Sequence, residues 1–225
     1  MEPVERKIFV GLYLFVVILQ VHSDQDLSLC SKCSSPLKND SKVVSYCESD
    51  KSFEMFYRCC TNTNHSVVYG LDLTGCKIKE LHGKMFEEYL DMDILTLENN
   101  EFTSYEKIDF FGLKSLNYLS LPNINSSCPG GADMWDNITV HADYVECMDQ
   151  VNTCIFYNLS CPLNSNCTKG GPGYAECHCD PGYYGYKCKR TGHFPMDVYG
   201  ISTAAGVILV SAVFWFTERR KIGTL

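Results

Sequence analysis

Two stretches of the chain are predominantly apolar and free of charge, and they lie near its two ends. The first runs from Ile8 to Val21 and follows the basic pair Arg6-Lys7. It is too short to cross a bilayer, and small residues then suit cleavage after Ser23, so residues 1–23 predict a secretory signal peptide. The second runs from Val198 to Thr217, 20 residues without a charge. A helix of that length crosses a hydrocarbon core.

Charges set the orientation of the second segment. Arg219-Arg220-Lys221 comes almost directly after it, and basic clusters mark the cytosolic side of a membrane. We therefore expect a single-pass type I membrane protein with a transmembrane helix at 198–217, a cytoplasmic tail at 218–225 and a lumenal or extracellular N-terminus. Residues 24–193 hold 14 basic and 23 acidic side chains, a net charge of −9. This acidity argues against nucleic acid or anionic lipid as a ligand.

Between the two ends, leucines alternate in three short segments that begin 24 residues apart: Leu71-Asp72-Leu73, Leu95-Thr96-Leu97 and Leu119-Ser120-Leu121. This period is typical of a leucine-rich repeat, in which each coil places its alternate leucines on the inward face of a short strand. We expect repeat-like coils over 71–127, in which Asn100 hydrogen-bonds the turning backbone, a role that Cys76 could also take. The alternative is an irregular disulfide-rich domain whose leucines follow ordinary amphipathic spacing.

All 14 cysteines lie between the two apolar ends, as expected for an oxidising compartment. A short repeat needs covered ends, so we predict a cysteine-rich N-terminal cap at 24–70 and a C-terminal cap at 128–149. Eight cysteines can pair in 105 ways, and only Cys128 with Cys147 is assigned. Six stay unassigned: Cys30, Cys33, Cys47, Cys59, Cys60 and Cys76. The Cys30-x-x-Cys33 spacing could form a redox pair, but no βαβ unit surrounds it, which favours structural bridging.

The last six cysteines follow the spacing C-x6-C-x5-C-x9-C-x-C-x8-C, which alone allows fifteen pairings. The single residue between Cys177 and Cys179 disfavours the alternative of a zinc cluster. With Gly182 and Gly185 flanking aromatic residues, the pattern resembles the epidermal-growth-factor-like (EGF-like) family, which predicts such a domain at 150–189 and a juxtamembrane linker at 190–197. The resemblance implies three bridges: Cys154–Cys167, Cys161–Cys177 and Cys179–Cys188.

Six Asn-x-Ser/Thr sequons predict a glycoprotein. The weakest candidate is Asn166, because Cys167 stands inside its triplet. The six positions are Asn39, Asn64, Asn125, Asn137, Asn158 and Asn166.

No motif of a hydrolase, metalloprotease or phosphate-binding loop occurs in the sequence, so we expect a protein that is not an enzyme and has no cofactor. Calcium-binding EGF-like domains place an oxygen ligand where this chain has Lys169, so no calcium is expected. Ligands of the EGF receptor carry an arginine where Lys187 stands and a leucine where His193 stands. A shed growth factor is therefore the less favoured interpretation.

Small residues recur in the apolar C-terminal segment, as they do where one membrane helix packs on another. Such residues are also common in membrane helices generally, and the sequence favours neither explanation. The predicted packing face consists of Gly200, Ser202, Ala204 and Gly206.

Nearly the whole chain resembles the all-trans retinoic acid-induced differentiation factor family, also called apoptosis-related protein 3. The fragments that carry the resemblance are Val67–Leu73, Cys128-Pro129-Gly130-Gly131, Trp135, Gly182–Cys188 and Arg219-Arg220-Lys221. The resemblance implies roles in osteoblast differentiation and bone mineralisation. It also implies two partners, a secreted EGF-rich glycoprotein and a multi-spanning solute carrier of the lysosomal membrane.

Together these observations predict a mainly β, disulfide-rich fold: a short leucine-rich-repeat-like solenoid with cysteine caps, an EGF-like module and one transmembrane helix. Our functional hypothesis is a membrane-bound binding or accessory subunit in the lysosome or at the plasma membrane. The alternative is a cell-surface receptor or shed EGF-like ligand in differentiation signalling. The sequence leaves open which ligand binds and whether the protein forms oligomers.

Overall fold

The computed structural model describes residues 27–33, 35–38, 40–82, 85–124, 127–192 and 196–222. The described residues form two compact units. The first holds those up to Leu159 together with Thr168–Glu176, and the second holds Ser160–Cys167 and those from Cys177 onward. The predicted signal peptide lies outside the described residues, as does the end of the tail beyond Ile222.

The first unit is built on one seven-stranded sheet with the strand order β1-β2-β3-β4-β5-β7-β6. Its three central strands, β3 to β5, are parallel, and both ends of the sheet are antiparallel hairpins. The strands are β1 (Phe53–Phe56), β2 (Cys59–Asn62), β3 (Val68–Asp72), β4 (Ile94–Thr96), β5 (Tyr118–Pro122), β6 (Trp135–Val140) and β7 (Tyr144–Gln150).

The 24-residue interval of the leucines becomes the register of the parallel strands. Leu71 pairs with Leu95, and Leu95 pairs with Leu119. Both leucines of each segment are fully buried, and Phe86 and Phe110 pack in the same core. The prediction of a leucine-rich repeat is therefore confirmed, and a Leu→Ala change in this core would cost about 2–5 kcal/mol.

Asn100 holds the turn of its coil, as expected for this repeat. Its Nδ2 donates to the carbonyl oxygens of Leu73 and Leu97, at 2.8 Å in each case, and its Oδ1 accepts from the amide of Ile78 at 3.0 Å. Cys76 does not take this role. It is bonded to Cys33, and a disulfide sulfur has no proton to donate.

Each cap is held by disulfide bonds, and one of them, Cys33–Cys76, also joins the N-terminal cap to the repeat. In the N-terminal cap the pairs are Cys30–Cys59, Cys33–Cys76 and Cys47–Cys60, so the Cys30-x-x-Cys33 residues bridge to different partners. The C-terminal cap holds Cys128 and Cys147 bonded to each other. Both hairpin ends of the sheet are thereby joined covalently to neighbouring segments.

A short helix, α1 (Lys42–Glu48), lies on the face of the sheet opposite the leucine core. It begins at the N-cap Ser41, whose hydroxyl accepts from the amide of Val43. The buried side chains of Val43 and Cys47 pack with Ile94. Sequence patterns did not predict this helix, which lies inside the predicted N-terminal cap.

The EGF-like region contributes two small hairpins and the short helix α2 (Thr153–Phe156). The first hairpin joins β8 (Ser165–Gly171) to β9 (Tyr174–Cys179), and its turn belongs to the first unit while its outer ends belong to the second. The second joins β10 (Tyr183–Tyr184) to β11 (Arg190–Thr191), so the predicted linker at 190–197 begins with a paired strand.

Four 3₁₀-helices complete the described secondary structure before the last helix: Leu27–Ser31, Lys107–Phe110, Ala132–Met134 and Tyr186–Cys188. The chain then forms the long helix α3 (Met196–Ile222). Within it, Val198–Thr217 is long and apolar enough to cross a membrane.

Candidate functional site

The sheet face that carries α1 also carries a groove of about 620 Å³, which is lined mostly by polar and charged residues. This volume is within the usual range for ligand sites. One wall comes from the segment before and at the start of α1, and the floor comes from the ends of the central strands. The charged residues that line the groove are Lys38, Asp40, Lys42, Arg58, Asp72, Glu98 and Glu146.

Arg58 and Asp72 form a buried pair at the floor of the groove. Their side chains are 7% and 5% exposed, and Arg58 Nη1 lies 3.4 Å from Asp72 Oδ1. Asp72 also accepts from the hydroxyl of Ser41 and, at 2.8 Å, from the amide of Thr74. Since each charge has the other as its partner inside the protein, this pair shapes the groove and offers little to a ligand, although Arg58 Nε is buried without a hydrogen-bond partner.

Arg58 also fixes the wall of the groove through the backbone. Its Nη2 donates to the carbonyl oxygens of Ser35 at 3.0 Å and Pro36 at 3.1 Å, and its Nη1 donates to the carbonyl of Thr74 at 3.2 Å. A planar guanidinium can make several such bonds at once. The irregular segment before α1 is thereby held beside the strand ends.

Glu146 on β7 forms the opposite side of the groove. It accepts from the Lys42 ammonium and from the Tyr118 hydroxyl at 2.6 Å, and His141 Nε2 lies 3.3 Å from its Oε2. Burial raises the pKa of Glu146, but the hydrogen bonds from Lys42, Tyr118 and His141 together outweigh it, so the net pKa is lowered. Burial and the neighbouring Glu146 carboxylate raise the pKa of Tyr118 well above its ordinary value.

The residues that line the groove are therefore mostly polar, and their charges are of both signs. Its most buried acidic groups, Asp72 and Glu146, already have cationic partners, while Lys38, Asp40 and Glu98 add both signs at its edges. Such a lining suits a polar segment of a protein better than a multiply charged ion. Within the described ranges, no group of three or more His, Cys, Asp or Glu side chains could hold a metal ion.

The remaining predicted disulfides lie in the EGF-like region. The structure brings together Cys161 with Cys177 and Cys179 with Cys188. Cys154 and Cys167, which the resemblance pairs with each other, are both disulfide-bonded.

Four of the predicted glycosylation sites lie within the described residues, and all four asparagines are exposed: Asn64, Asn137, Asn158 and Asn166. Asn166 differs from the others because its Nδ2 donates to Asp180 Oδ1. Its amide nitrogen would have to leave that bond to receive a glycan. Asn39 and Asn125 lie outside the described residues.

The predicted packing face of the membrane helix divides into two faces. In a helix with 3.6 residues per turn, Gly200 and Ala204 lie close together on one side, and Ser202 and Gly206 lie on nearly the opposite side. The small residues therefore lie on two opposite faces of the helix, and each face pairs one glycine with one other small residue.

A family model described as "ATRAID-like, EGF domain" matches residues 161–190, and a model described as "Leucine rich repeat" matches residues 67–126. No solved structure matches the chain.

Three curated relatives carry the name "All-trans retinoic acid-induced differentiation factor". The one from Danio rerio is 36% identical over 94% of this chain and 95% of its own length. Those from Homo sapiens and Mus musculus are each 34% identical, over 87% and 86% of this chain and 85% and 86% of their own lengths. This chain belongs to the family of all-trans retinoic acid-induced differentiation factors.

As a member of the differentiation factor family, the chain combines both matched regions with the apolar helix Val198–Thr217. The matched families are not enzyme families, which fits a protein without enzymatic activity. The candidate site that sequence reasoning missed is the groove beside α1. The only local signals were a helix-capping serine at 41 and apolar residues four apart at 43 and 47.

Proposed function

We propose that the protein is a non-enzymatic type I membrane glycoprotein that acts as a binding or accessory subunit. The observation that carries the proposal is the order of its parts. All 14 cysteines are disulfide-bonded, and all precede the apolar helix Val198–Thr217. Because disulfides persist outside the reducing cytosol, the region before the helix faces the lumen or the outside, and the basic residues after it face the cytosol.

In this proposal the groove binds a polar segment of a partner protein, and the membrane helix binds a second partner within the bilayer. The family resemblance suggests a secreted EGF-rich glycoprotein for the first and a multi-spanning lysosomal solute carrier for the second. The relatives are named for differentiation, and we extend to this chain a role in osteoblast differentiation and bone mineralisation. A disulfide-bonded, glycosylated region is suited to a lysosomal lumen.

Charge reversal at the rim of the groove tests the first partner. In the full-length protein, Glu98→Lys should weaken binding of the purified EGF-rich glycoprotein about tenfold, because it replaces a groove-lining carboxylate by an ammonium. Glu54→Lys makes the same change on the exposed side of the edge strand β1 and should leave binding unchanged. Equal binding by wild type and Glu98→Lys would exclude the groove as the contact.

Co-purification from detergent tests the membrane partner. Gly200→Leu and Gly206→Leu add bulk on nearly opposite sides of α3, so one of them should reduce recovery of the solute carrier several-fold and the other should not. Val207→Leu, at a position that is already bulky and 57% exposed, is the control. Unchanged recovery with both glycine variants would refute docking through the small residues.

A second candidate function is that of a cell-surface receptor or ligand acting through the EGF-like module. The observation that favours it is Tyr186, whose side chain is 81% exposed, whereas Tyr183 and Tyr184 are half-buried. Comparing surface staining with lysosomal staining of the intact protein separates the two functions. Predominant surface staining would favour the receptor.

A further inference from the structure

An unusual run of apolar side chains faces solvent at the end of helix α2. Ile155, Phe156, Tyr157 and Leu159 are 77%, 49%, 51% and 42% exposed. Several large apolar side chains exposed in one short segment commonly indicate a contact with something else. The Phe156 ring meets the Tyr157 ring edge-on at 5.1 Å between centroids, which leaves much of its surface open.

A glycosylation sequon lies inside this apolar run. Asn158 begins Asn158-Leu159-Ser160, is exposed, and adopts a left-handed conformation with φ 46°. Its amide donates to the carbonyl of Ile155 at 3.0 Å, and the amide of Leu159 donates to that of Cys154 at 3.1 Å. These bonds close the last turn of α2 and fix the backbone that carries the asparagine.

We infer that Asn158 carries an N-linked glycan whose first N-acetylglucosamine packs against the exposed ring of Phe156. The ring stands two residues before the asparagine, on the turn that Asn158 closes, and both side chains are exposed. A pyranose has one face made of C–H groups, and covering an aromatic ring with that face removes apolar area of both from water. The glycan is then part of the folded structure as well as a surface modification.

The other described sequons lack this arrangement. Asn137 also has an aromatic residue two positions earlier, but Trp135 is only 4% exposed and its Nε1 donates to the carbonyl of Pro129 at 2.9 Å. Asn64 and Asn166 have the polar residues Asn62 and Asn164 at the same place. Asn137 therefore offers a matched control, an exposed sequon whose neighbouring aromatic ring is already buried.

The inference rests on the proposed lumenal orientation of this region, and the experiment separates the two. Full-length protein from cells with high-mannose glycans is purified in detergent and compared with Ser160→Ala, Phe156→Ala, the double variant and Asn137→Gln. Ser160→Ala removes the sequon while keeping the asparagine that suits the left-handed backbone. The measurements are the glycan count by gel mobility and the midpoint of thermal unfolding.

We expect Ser160→Ala to lose one glycan and to unfold about 2–4 °C earlier. Phe156→Ala should keep its glycans and lower the midpoint by a similar amount, but should have no further effect once Ser160 is replaced. Trimming with endoglycosidase H to a single N-acetylglucosamine should preserve the wild-type midpoint. Asn137→Gln should leave the midpoint of thermal unfolding unchanged even if a glycan is lost.

Two results would overturn the inference while leaving the proposed function intact: other sequons are glycosylated but Ser160→Ala loses no glycan, or it loses one with no change in midpoint. Additive effects of Ser160→Ala and Phe156→Ala would also overturn it, since the ring would then have another partner, such as a protein or the bilayer. If no glycan is found on the wild-type chain at all, the lumenal orientation itself is wrong.

Discussion

Gly70 determines how closely α1 can approach the sheet. A Cβ at this position would lie 2.8 Å from Ile94 Cγ2, 3.1 Å from Val43 Cγ1 and 3.3 Å from the Cβ of Cys60. A larger residue would therefore push the helix away from the face that it covers. The absence of a side chain at one strand position thus permits the wall of the groove to form.

Glu146, in contrast to Gly70, acts through its side chain, whose negative charge three neighbours stabilise. Its lowered pKa means that the carboxylate stabilises the folded state above the ordinary carboxyl pKa. That contribution is lost as the pH falls through the lowered folded pKa. At the pH of an acidic lumen, near 5, the stabilisation should still be present because the ordinary glutamate value is about 4.3.

This argument predicts the behaviour of Glu146→Gln. Its thermal midpoint should lie below that of the wild type by the same margin at pH 7 and pH 5, and the margin should shrink below about pH 4. Measurement of the midpoint against pH for both proteins tests this. A margin that had already vanished at pH 6 would show that another titrating group controls the network.

Among the elements, the parallel strands could be predicted from sequence and helix α1 could not. The leucines at 71, 95 and 119 specify both the inward face and the register, because each coil repeats the same local pattern. Helix α1 has only seven residues, too few for a helical period to stand out. Contacts with distant parts of the chain hold the helix instead. Cys47 is disulfide-bonded to Cys60, and Lys42 pairs with Glu146. Gly70, which has no side chain, leaves room for the helix to pack on the sheet.

Removing the Cys47–Cys60 bridge should therefore release α1 from the sheet. The double change Cys47→Ala with Cys60→Ala should lower the free energy of unfolding by about 3 kcal/mol and increase amide exchange across Lys42–Glu48. The matched control is removal of the Cys128–Cys147 bridge, which should destabilise the C-terminal cap and leave α1 protected. If the amides of α1 exchanged as slowly in the Cys47→Ala, Cys60→Ala variant as in the wild type, packing without the disulfide would be enough to hold the helix.

In the whole molecule, the sequence predicted the order of parts but not the groove. Apolar length identified the membrane helix and cysteine spacing identified the EGF-like module, because both signals are local. The groove combines residues as distant along the chain as Lys38 and Glu146. No local pattern relates them, and only the pairing of β5 with β7 brings Glu146 to the same face as Asp72.

The central claim is that the region before the membrane helix folds with its cysteines oxidised, outside the cytosol. Disulfide mapping by mass spectrometry, on full-length protein alkylated at the moment of cell lysis, tests it most directly. The account predicts no alkylated cysteine and cross-linked peptides for Cys30–Cys59, Cys33–Cys76, Cys47–Cys60, Cys128–Cys147, Cys161–Cys177 and Cys179–Cys188. Recovery of most of these cysteines as alkylated thiols would contradict it.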